Sequence, residues 1–361
     1  MIIANKATIA KHGVLADHFR HEMALRREYN AQQARMADLG QFDPIAQAVN
    51  AAGVYGPQAW LAIDQTAAEV ATSTRGTEIY QDLQSLVTPL PLGKTVRVWN
   101  NVGTIHNEVM VSMDGQSPLS ADQTQHEQSG DPVPLFTARF GVNYRHELGN
   151  RSEMIPLLQD SQVAKMEVYM AALADYTLAG SAKISEAGFK GEGLKNHRNT
   201  EKLDLGASGF NVNLTTANEA ALMKFFTVDL SGVLDDNNVQ TMKLFVSKEI
   251  RANLSGDSAV VGIDQTIEQR ILKRNPRIES IETAYNSDVP GFATGLTGNE
   301  ILGYVKSKSF IEIPTGQSIQ IVPVPRLELR ANFNMDISCA FGVQVKRRGA
   351  NSGVIFGASL T

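Results

Sequence analysis

The amino-acid sequence predicts an α+β fold with more than one packed unit. One long segment, Pro156–Ala179, has the apolar spacing of an amphipathic helix. Another, Leu135–Tyr144, alternates apolar and polar residues as a half-buried strand does. From Leu203 onward, shorter strand-like and helix-like segments follow one another. The chain has 361 residues, which is enough for two or three units with cores of their own.

The long helix has a regular apolar stripe. Its members recur at i, i+3, i+4, i+7 and i+10, and they are Met166, Tyr169, Met170, Leu173 and Tyr176. Gly180 follows as a C-cap residue. At 1.5 Å per residue the helix would span about 36 Å, which suits a structural rib. We call this segment, placed at about 152–180, the spine helix.

A long polar segment, Asp114–Pro134, lies between two strand-like stretches, Thr95–Met113 and Leu135–Tyr144. A structureless stretch of that length is uncommon inside a compact domain. We therefore interpret residues 95–145 as a projecting β-hairpin, the extended loop, which gains stability by lying on another molecule. Its predicted inter-subunit contact residues are Gly115, Gln116, Ser117, Pro118, Asp122, Gly130 and Asp131.

The N-terminal region, residues 1–75, is predicted to be a partly helical arm. His12–Leu39 consists mostly of good helix formers, and its apolar stripe is thin: Leu15, Phe19 and Met23. A thin stripe suits a helix that docks on a neighbour better than one buried in a core. We therefore expect these three residues to contact another subunit.

Composition excludes several classes of protein. Lys and Arg total 33 against 38 Asp and Glu, giving a net charge of −5, and tight nucleic-acid binding needs a dense basic surface. Cys339 is the one cysteine, so an internal disulfide and a thiolate metal cage are ruled out. The sequence has neither a secretory h-region nor an apolar run long enough for a membrane span, so we expect a soluble protein made in a cytoplasm.

No motif for catalysis or cofactor binding emerges. In the stretch His18–Glu22, the pair His21-Glu22 lacks the second histidine of a zinc-protease helix, because Leu25 occupies its place. The Gly188–Gly193 loop leaves a helix and has no Gly-Lys-Ser/Thr, so a turn is favoured over a phosphate loop. The sequence lacks the Gly-x-Ser-x-Gly motif of a nucleophile elbow, so no local motif indicates a serine hydrolase. We predict no catalytic, cofactor-binding or metal-binding residues and no enzymatic activity.

The order of the predicted elements and two short motifs resemble those of a known protein family. Leu178-Ala179-Gly180 ends the spine helix, and Gly193-Leu194-Lys195-Asn196 follows the Gly-rich turn. Together with the strand Pro134–Phe140 and the closing segment Arg326–Gly357, they resemble the major capsid protein of tailed bacteriophages. Encapsulins and the herpesvirus capsid floor share that fold. The resemblance covers roughly residue 76 to the end.

The resemblance implies a domain layout. An N-terminal arm would occupy 1–75, and a peripheral domain 76–204 would include the extended loop and the spine helix. An axial domain would occupy 205–325, and residues 326–361 would return to the peripheral domain.

It also implies a function and partners. Copies would assemble as hexamers and pentamers into a shell around double-stranded DNA, which the protein would contact weakly and without sequence specificity. The arm is short and has no clear processing site, so we expect a separate scaffolding protein, with a portal and a decoration protein as further partners. The protein would belong to the virion and assemble in the host bacterial cytoplasm.

Two alternatives stay open from the sequence. An encapsulin-like compartment that houses enzyme cargo would use the same fold. A cytosolic enzyme with a site on the Gly-rich loops belongs to another class, and it would form a small oligomer with a substrate-shaped pocket.

Overall fold

The structure is a computed structural model that describes residues 57–102, 126–143, 145–146, 157–258, 265–324, 332–348 and 351–359. Near the N-terminus it also describes residues 20, 23, 24, 27, 28 and 31, all of them helical. The helices that follow are α1 (Pro57–Ser73), α2 (Glu78–Leu83), α3 (Leu157–Ala179), α4 (Glu219–Lys224), α5 (Leu230–Asp236), α6 (Lys248–Leu254) and α7 (Ile267–Arg274). A 3-10 turn, Gln84–Leu86, extends α2, and a π-helical turn, Phe225–Asp229, joins α4 to α5.

The strands form two larger sheets and several hairpins. The strands are β1 (Val87–Pro89), β2 (Val96–Val102), β3 (His126–Pro132), β4 (Leu135–Val142), β5 (Gly180–Glu186), β6 (Phe189–Glu192), β7 (Glu201–Asp204), β8 (Met242–Val246), β9 (Ile278–Thr283), β10 (Ile301–Tyr304), β11 (Ile311–Pro323), β12 (Phe333–Phe341), β13 (Gln344–Val345), β14 (Arg347–Arg348), β15 (Asn351–Ser352) and β16 (Val354–Ala358). The first sheet has the order β1-β11-β12-β4, with β13 also paired to β11. The second has the order β7-β16-β10-β8-β9. Three hairpins pair β2 with β3, β5 with β6, and β14 with β15.

The first core lies between the spine helix, α3, and the first sheet. Met166, Met170 and Leu173 are fully buried in it, as the apolar period of the helix predicts. Aromatic rings join the helix to the sheet: the Phe136 ring lies 5.2 Å from that of Tyr176 on the helix. The observed helix, Leu157–Ala179, matches the segment Pro156–Ala179 to within a residue. Residues 152–156 of the wider predicted range lie outside the described residues, and Gly180 begins β5. The α+β class is confirmed.

The second core lies under the second sheet and is covered by α4 to α7. The sheet separates the two cores, because alternate residues point to opposite faces. On β8, Leu244 belongs to the second core and Phe245 to the first; on β16, Ile355 belongs to the second and Val354 to the first. The C-terminal strand therefore contributes to both cores. The predicted domain limits stay predictions.

Two local expectations are corrected by the pairing of the strands. Leu135–Val142 is a strand, as its alternation predicts, but its partner is Phe333–Phe341 of the first sheet, not the first arm of the extended loop. That first arm, Val96–Val102, pairs instead with His126–Pro132, which belongs to the segment predicted to be a polar loop. The predicted hairpin thus exists with a different return strand, because strand pairing depends on long-range contacts that a local pattern does not encode.

Candidate assembly site

The Gly-rich segment after the spine helix closes the end of that helix. The backbone N–H groups of Leu194 and Lys195 donate to the carbonyls of Thr177 and Leu178, each at 2.9 Å. The Asn196 side-chain amide donates to the Ala179 carbonyl at 3.0 Å. These carbonyls belong to the last turn, where a helix has no partners of its own. The motif that suggested the resemblance therefore has a physical role as a helix cap.

Two glycines make this cap possible. Gly180 has a φ of +71°, and a Cβ there would lie 2.4 Å from the Gly191 carbonyl oxygen and from the Gly193 nitrogen. A Cβ on Gly193 would in turn lie 2.4 Å from the Gly180 nitrogen. The backbones at Gly180 and Gly193 are in direct contact, and a side chain on either residue would prevent this contact. Between them β5 and β6 form a hairpin whose turn contains Gly188. The rest of the segment that the sequence predicts to be a turn, Phe189–Glu192, is the strand β6.

The extended hairpin, β2 with β3, stands on this capped end. Its register runs from Val96 opposite Pro132 to Val102 opposite His126, and residues 103–125 between the strands lie outside the described residues. The Val98 side chain is 43% exposed. A two-stranded hairpin in water is marginally stable by itself. The exposed part of this hairpin is therefore suited to contact with another molecule.

A buried polar cluster holds the base of the hairpin. Asp131 on β3 and His197 are both buried, and His197 Nε2 lies 3.1 Å from Asp131 Oδ1. The Arg198 guanidinium donates to the same oxygen at 2.7 Å. It also donates to the Gly130 carbonyl at 2.7 Å and to Glu192 Oε2 at 3.3 Å. No local pattern in the sequence predicts this cluster, because His197 and Asp131 are 66 residues apart.

The predicted contact residues fall into three groups. Leu15 and Phe19, with Gly115, Gln116, Ser117, Pro118 and Asp122, lie outside the described residues. Met23 is helical and half-buried. Gly130 and Asp131 are buried against the chain's own residues, so we do not carry them forward as inter-subunit contacts. The remaining contacts stay predictions.

A second polar cluster joins α2 to the second sheet. Asp82 accepts hydrogen bonds from Lys243 at 2.7 Å, from the Tyr304 hydroxyl at 2.6 Å and from Lys306 at 2.9 Å. Burial opposes ionisation of Asp82, but these hydrogen bonds outweigh it and hold its pKa below the usual value of 3.8. Burial similarly opposes ionisation of Glu312, whose hydrogen bonds from Lys346 and Thr88 lower its pKa below 4.5. Both carboxylates are structural ion-pair partners within the body.

The described part of the chain offers little for catalysis. The outer face of the first sheet has an open groove of about 710 Å³. Its two charged lining residues, Arg139 and Asp336, pair with each other at 2.6 Å and 2.9 Å. Burial raises the pKa of the Cys339 thiol to about 12, which leaves it a poor nucleophile. Within the described residues, no group of three His, Cys, Asp or Glu side chains could hold a metal ion.

None of the helices in the described ranges combines the length and the apolar character needed to cross a bilayer.

Solved structures define the class of fold. A chain from the capsid of Myoviridae phage XM1 matches with a TM-score of 0.59 and 9% identity over 80% of this chain and 92% of that one. The virus-like particle from Pyrococcus furiosus matches with a TM-score of 0.52 and 12% identity, over 82% and 98% of the two chains. A chain from Mycobacterium phage Bobi has a TM-score of 0.52 and 13% identity, over 77% and 90%. The chain has the major capsid fold of tailed bacteriophages, so the predicted fold is confirmed.

The family is defined by sequence. Residues 50–357 match the model described as "Family of unknown function (DUF6260)", and the chain belongs to this family. A search of curated proteins finds no significant match.

Proposed function

We propose that the chain is the major capsid protein of a tailed bacteriophage. It assembles as hexamers and pentamers into an icosahedral or prolate shell around double-stranded DNA. One observation carries the proposal: a body with the capsid fold bears an exposed hairpin on the capped end of its spine helix. The structural match to the phage XM1 capsid supports it.

The shell forms through contacts between different surfaces of neighbouring copies. The extended hairpin lies across one neighbour, the N-terminal helix with Leu15, Phe19 and Met23 reaches another, and residues of about 205–325 meet around the five-fold and six-fold axes. Such head-to-tail contacts close into rings when the rotation between copies allows it. Because each subunit makes several contacts, the closed shell is far more stable than one interface.

Charge supports a contact between the hairpin and a sister copy. Between Arg97 and the buried Asp131 the sequence has four Asp or Glu residues and no Lys or Arg. The segment 305–310 lies next to the segment 346–348, since Lys346 Nζ donates to the Lys308 carbonyl at 3.3 Å. Lys306, Lys346 and Arg347 pair with carboxylates of the same chain. The basic surface is therefore formed by Lys308 and Arg348, which are both exposed. We propose that this basic surface receives the acidic loop of a neighbour.

The basic surface has a direct test. Lys308 and Arg348 are exposed, so reversing both charges leaves the body folded. We expect Lys308→Glu with Arg348→Glu to slow shell formation and to reduce its dependence on ionic strength. Unchanged kinetics and salt dependence, followed by light scattering, would contradict this contact.

Further partners follow from the proposed role. We propose a separate scaffolding protein, a portal and a decoration protein, with assembly in the host bacterial cytoplasm and a final place in the virion. A net charge of −5 supports weak contact with packaged DNA that does not depend on its sequence.

The encapsulin-like compartment is the second candidate. The match to the Pyrococcus particle favours it, although with a TM-score of 0.52 it is no better supported than the phage capsid at 0.59. The contents of purified particles distinguish the two: DNA supports the phage capsid, and an enzyme cargo supports the compartment. The cytosolic enzyme is less favoured, because the similar structures named include a capsid and a virus-like particle.

The decisive variant replaces residues 103–125 with Asn-Gly. Val102 lies opposite His126, so a two-residue turn closes the hairpin at its existing register. We expect a folded subunit with an unchanged circular dichroism spectrum that forms no shells in electron micrographs. Normal shells from this variant would contradict the role of the loop.

A further inference from the structure

Both strands of the extended hairpin are tied to the body at its base. On β2, the Arg97 carbonyl accepts from Gln344 at 3.0 Å and the Arg97 side chain pairs with Glu312 at 3.3 Å. On β3, Arg198 makes several contacts. Besides Asp131 and Gly130, its guanidinium reaches the Ser129 hydroxyl at 2.9 Å. It thereby contacts three successive residues of β3. On its other side it contacts Glu192 at the end of β6, and its guanidinium carbon lies 5.8 Å from the centre of the Phe189 ring. Arg198 therefore ties the extended hairpin to the Gly-rich hairpin.

Asp131 occupies a costly position for a carboxylate. It is 1% exposed, and its Oδ2 atom has no hydrogen-bond partner within the described parts of the chain. Burying a charge with half of its oxygens unsatisfied costs stability, and well-packed apolar residues in place of the whole cluster would cost less. Buried polar groups that are poor for stability can still specify geometry. The base of a projecting loop is a place where geometry matters.

His197 connects the spine-helix cap to Asp131, because it forms hydrogen bonds with both. The His197 backbone N–H donates to the Gly193 carbonyl at 2.8 Å, within the cap. Its ring Nδ1 accepts from the Asn199 backbone N–H at 3.1 Å. The neutral ring therefore carries its proton on Nε2 and donates it to Asp131 Oδ1. A continuous set of directed contacts runs from the helix cap through His197 to the hairpin.

We propose that Asp131, held between His197 and Arg198, is a positioning residue that fixes the angle between the extended hairpin and the spine helix. The two hairpins then move as one body, and the loop is presented to a neighbour in a single direction. This inference rests on the proposed capsid role, because the angle matters for the curvature of a shell. The anchoring itself is a property of the single subunit.

The test compares three full-length variants. Asp131→Asn keeps the shape and removes the charge, and Arg198→Gln removes the guanidinium. Asp336→Asn is the matched control, since it breaks an exposed Asp–Arg pair between two strands of the first sheet. Hydrogen exchange is measured on unassembled subunits, and shell diameters are measured in electron micrographs.

We expect both cluster variants to accelerate amide exchange in β2 and β3 by about ten-fold while exchange in the spine helix stays unchanged. Shell diameters should broaden for the same two variants and not for Asp336→Asn. The Arg198 side chain is one-third exposed, so Arg198→Gln should fold even if Asp131→Asn does not. In that case the comparison of Arg198→Gln with Asp336→Asn is the test.

Unchanged exchange in β2 and β3 in the variants that fold would overturn the inference. So would equal acceleration throughout the spine helix, which would show general destabilisation in place of anchoring. If the wild-type protein forms no shells, the proposed function fails, and the exchange comparison still decides whether Asp131 anchors the hairpin.

Discussion

The spine helix and the extended hairpin are neighbours held in place by different forces. Met166, Met170 and Leu173 of the helix are fully buried among apolar residues. The hairpin leaves Val98 43% exposed, and its base is held by the buried charge of Asp131. Apolar burial is strong and non-directional, whereas hydrogen bonds to a charge are directional. The helix therefore supplies stability to the body, and the hairpin base supplies orientation.

The largest expected effect is on the spine helix. Leu173→Ala removes a fully buried side chain and should lower the free energy of unfolding by about 2–5 kcal/mol. Denaturant unfolding measures this change. Glu167 is exposed on the same helix, and Glu167→Ala should stay within about 0.5 kcal/mol of wild type. Equal losses for the two variants would contradict the assignment of the buried face.

The second-largest loss of stability is expected for a substitution at Gly180, where the spine helix ends near the base of the hairpin. Gly180→Ala places a Cβ against backbone atoms at a φ of +71° and should cost more than the roughly 1–2 kcal/mol of the left-handed conformation alone. Gly188 is the control, because its φ is +84° and a Cβ there meets nothing within 4 Å. In thermal unfolding, the Tm of Gly180→Ala should be lower than the Tm of Gly188→Ala. The reverse order would refute the close contact of Gly180 with Gly193.

Acid should weaken the ion pairs of the body. Asp82 has a lower pKa in the folded chain than the usual 3.8, so its stabilising effect is present above that pH. It is lost as the pH falls through the folded value. We expect the free energy of unfolding to decline below about pH 4. Asp82→Asn should be less stable than wild type at pH 7 and should lose less on acidification; an identical pH profile would contradict the assignment.

The smallest effect on stability is expected on the hairpin itself. Val98→Ser changes an exposed side chain, so the free energy of unfolding should stay within about 0.5 kcal/mol of wild type. The yield of shells should nevertheless fall, because Val98 would contact a neighbour. A folded variant with normal shell yield would place the inter-subunit contact elsewhere on the hairpin.

The same contrast explains what could be predicted from sequence. The spine helix could be placed because its apolar period is local and long, and the Met242–Val246 strand because it is a short apolar run after a turn. The partner of Leu135–Val142 could not, since Phe333–Phe341 lies far along the chain. Sequence pattern fixes which face of a strand is buried and leaves its partner open.

The sequence predicts which segments form the candidate site, but it does not predict the side-chain contacts within the site. A projecting hairpin after Thr95 and a Gly-rich turn after the spine helix both exist. The cluster of Asp131, His197 and Arg198 escaped prediction, because the three residues meet only after the two hairpins pack together. Asp131 follows a run of polar residues and glycine, 122–130, and this pattern predicts an exposed loop residue.

Electron microscopy of the purified full-length protein tests the central claim most directly. The account predicts closed shells of uniform diameter, built from rings of five and six copies. A compact monomer at every concentration, with residues 103–125 folded back onto its own body, would contradict it.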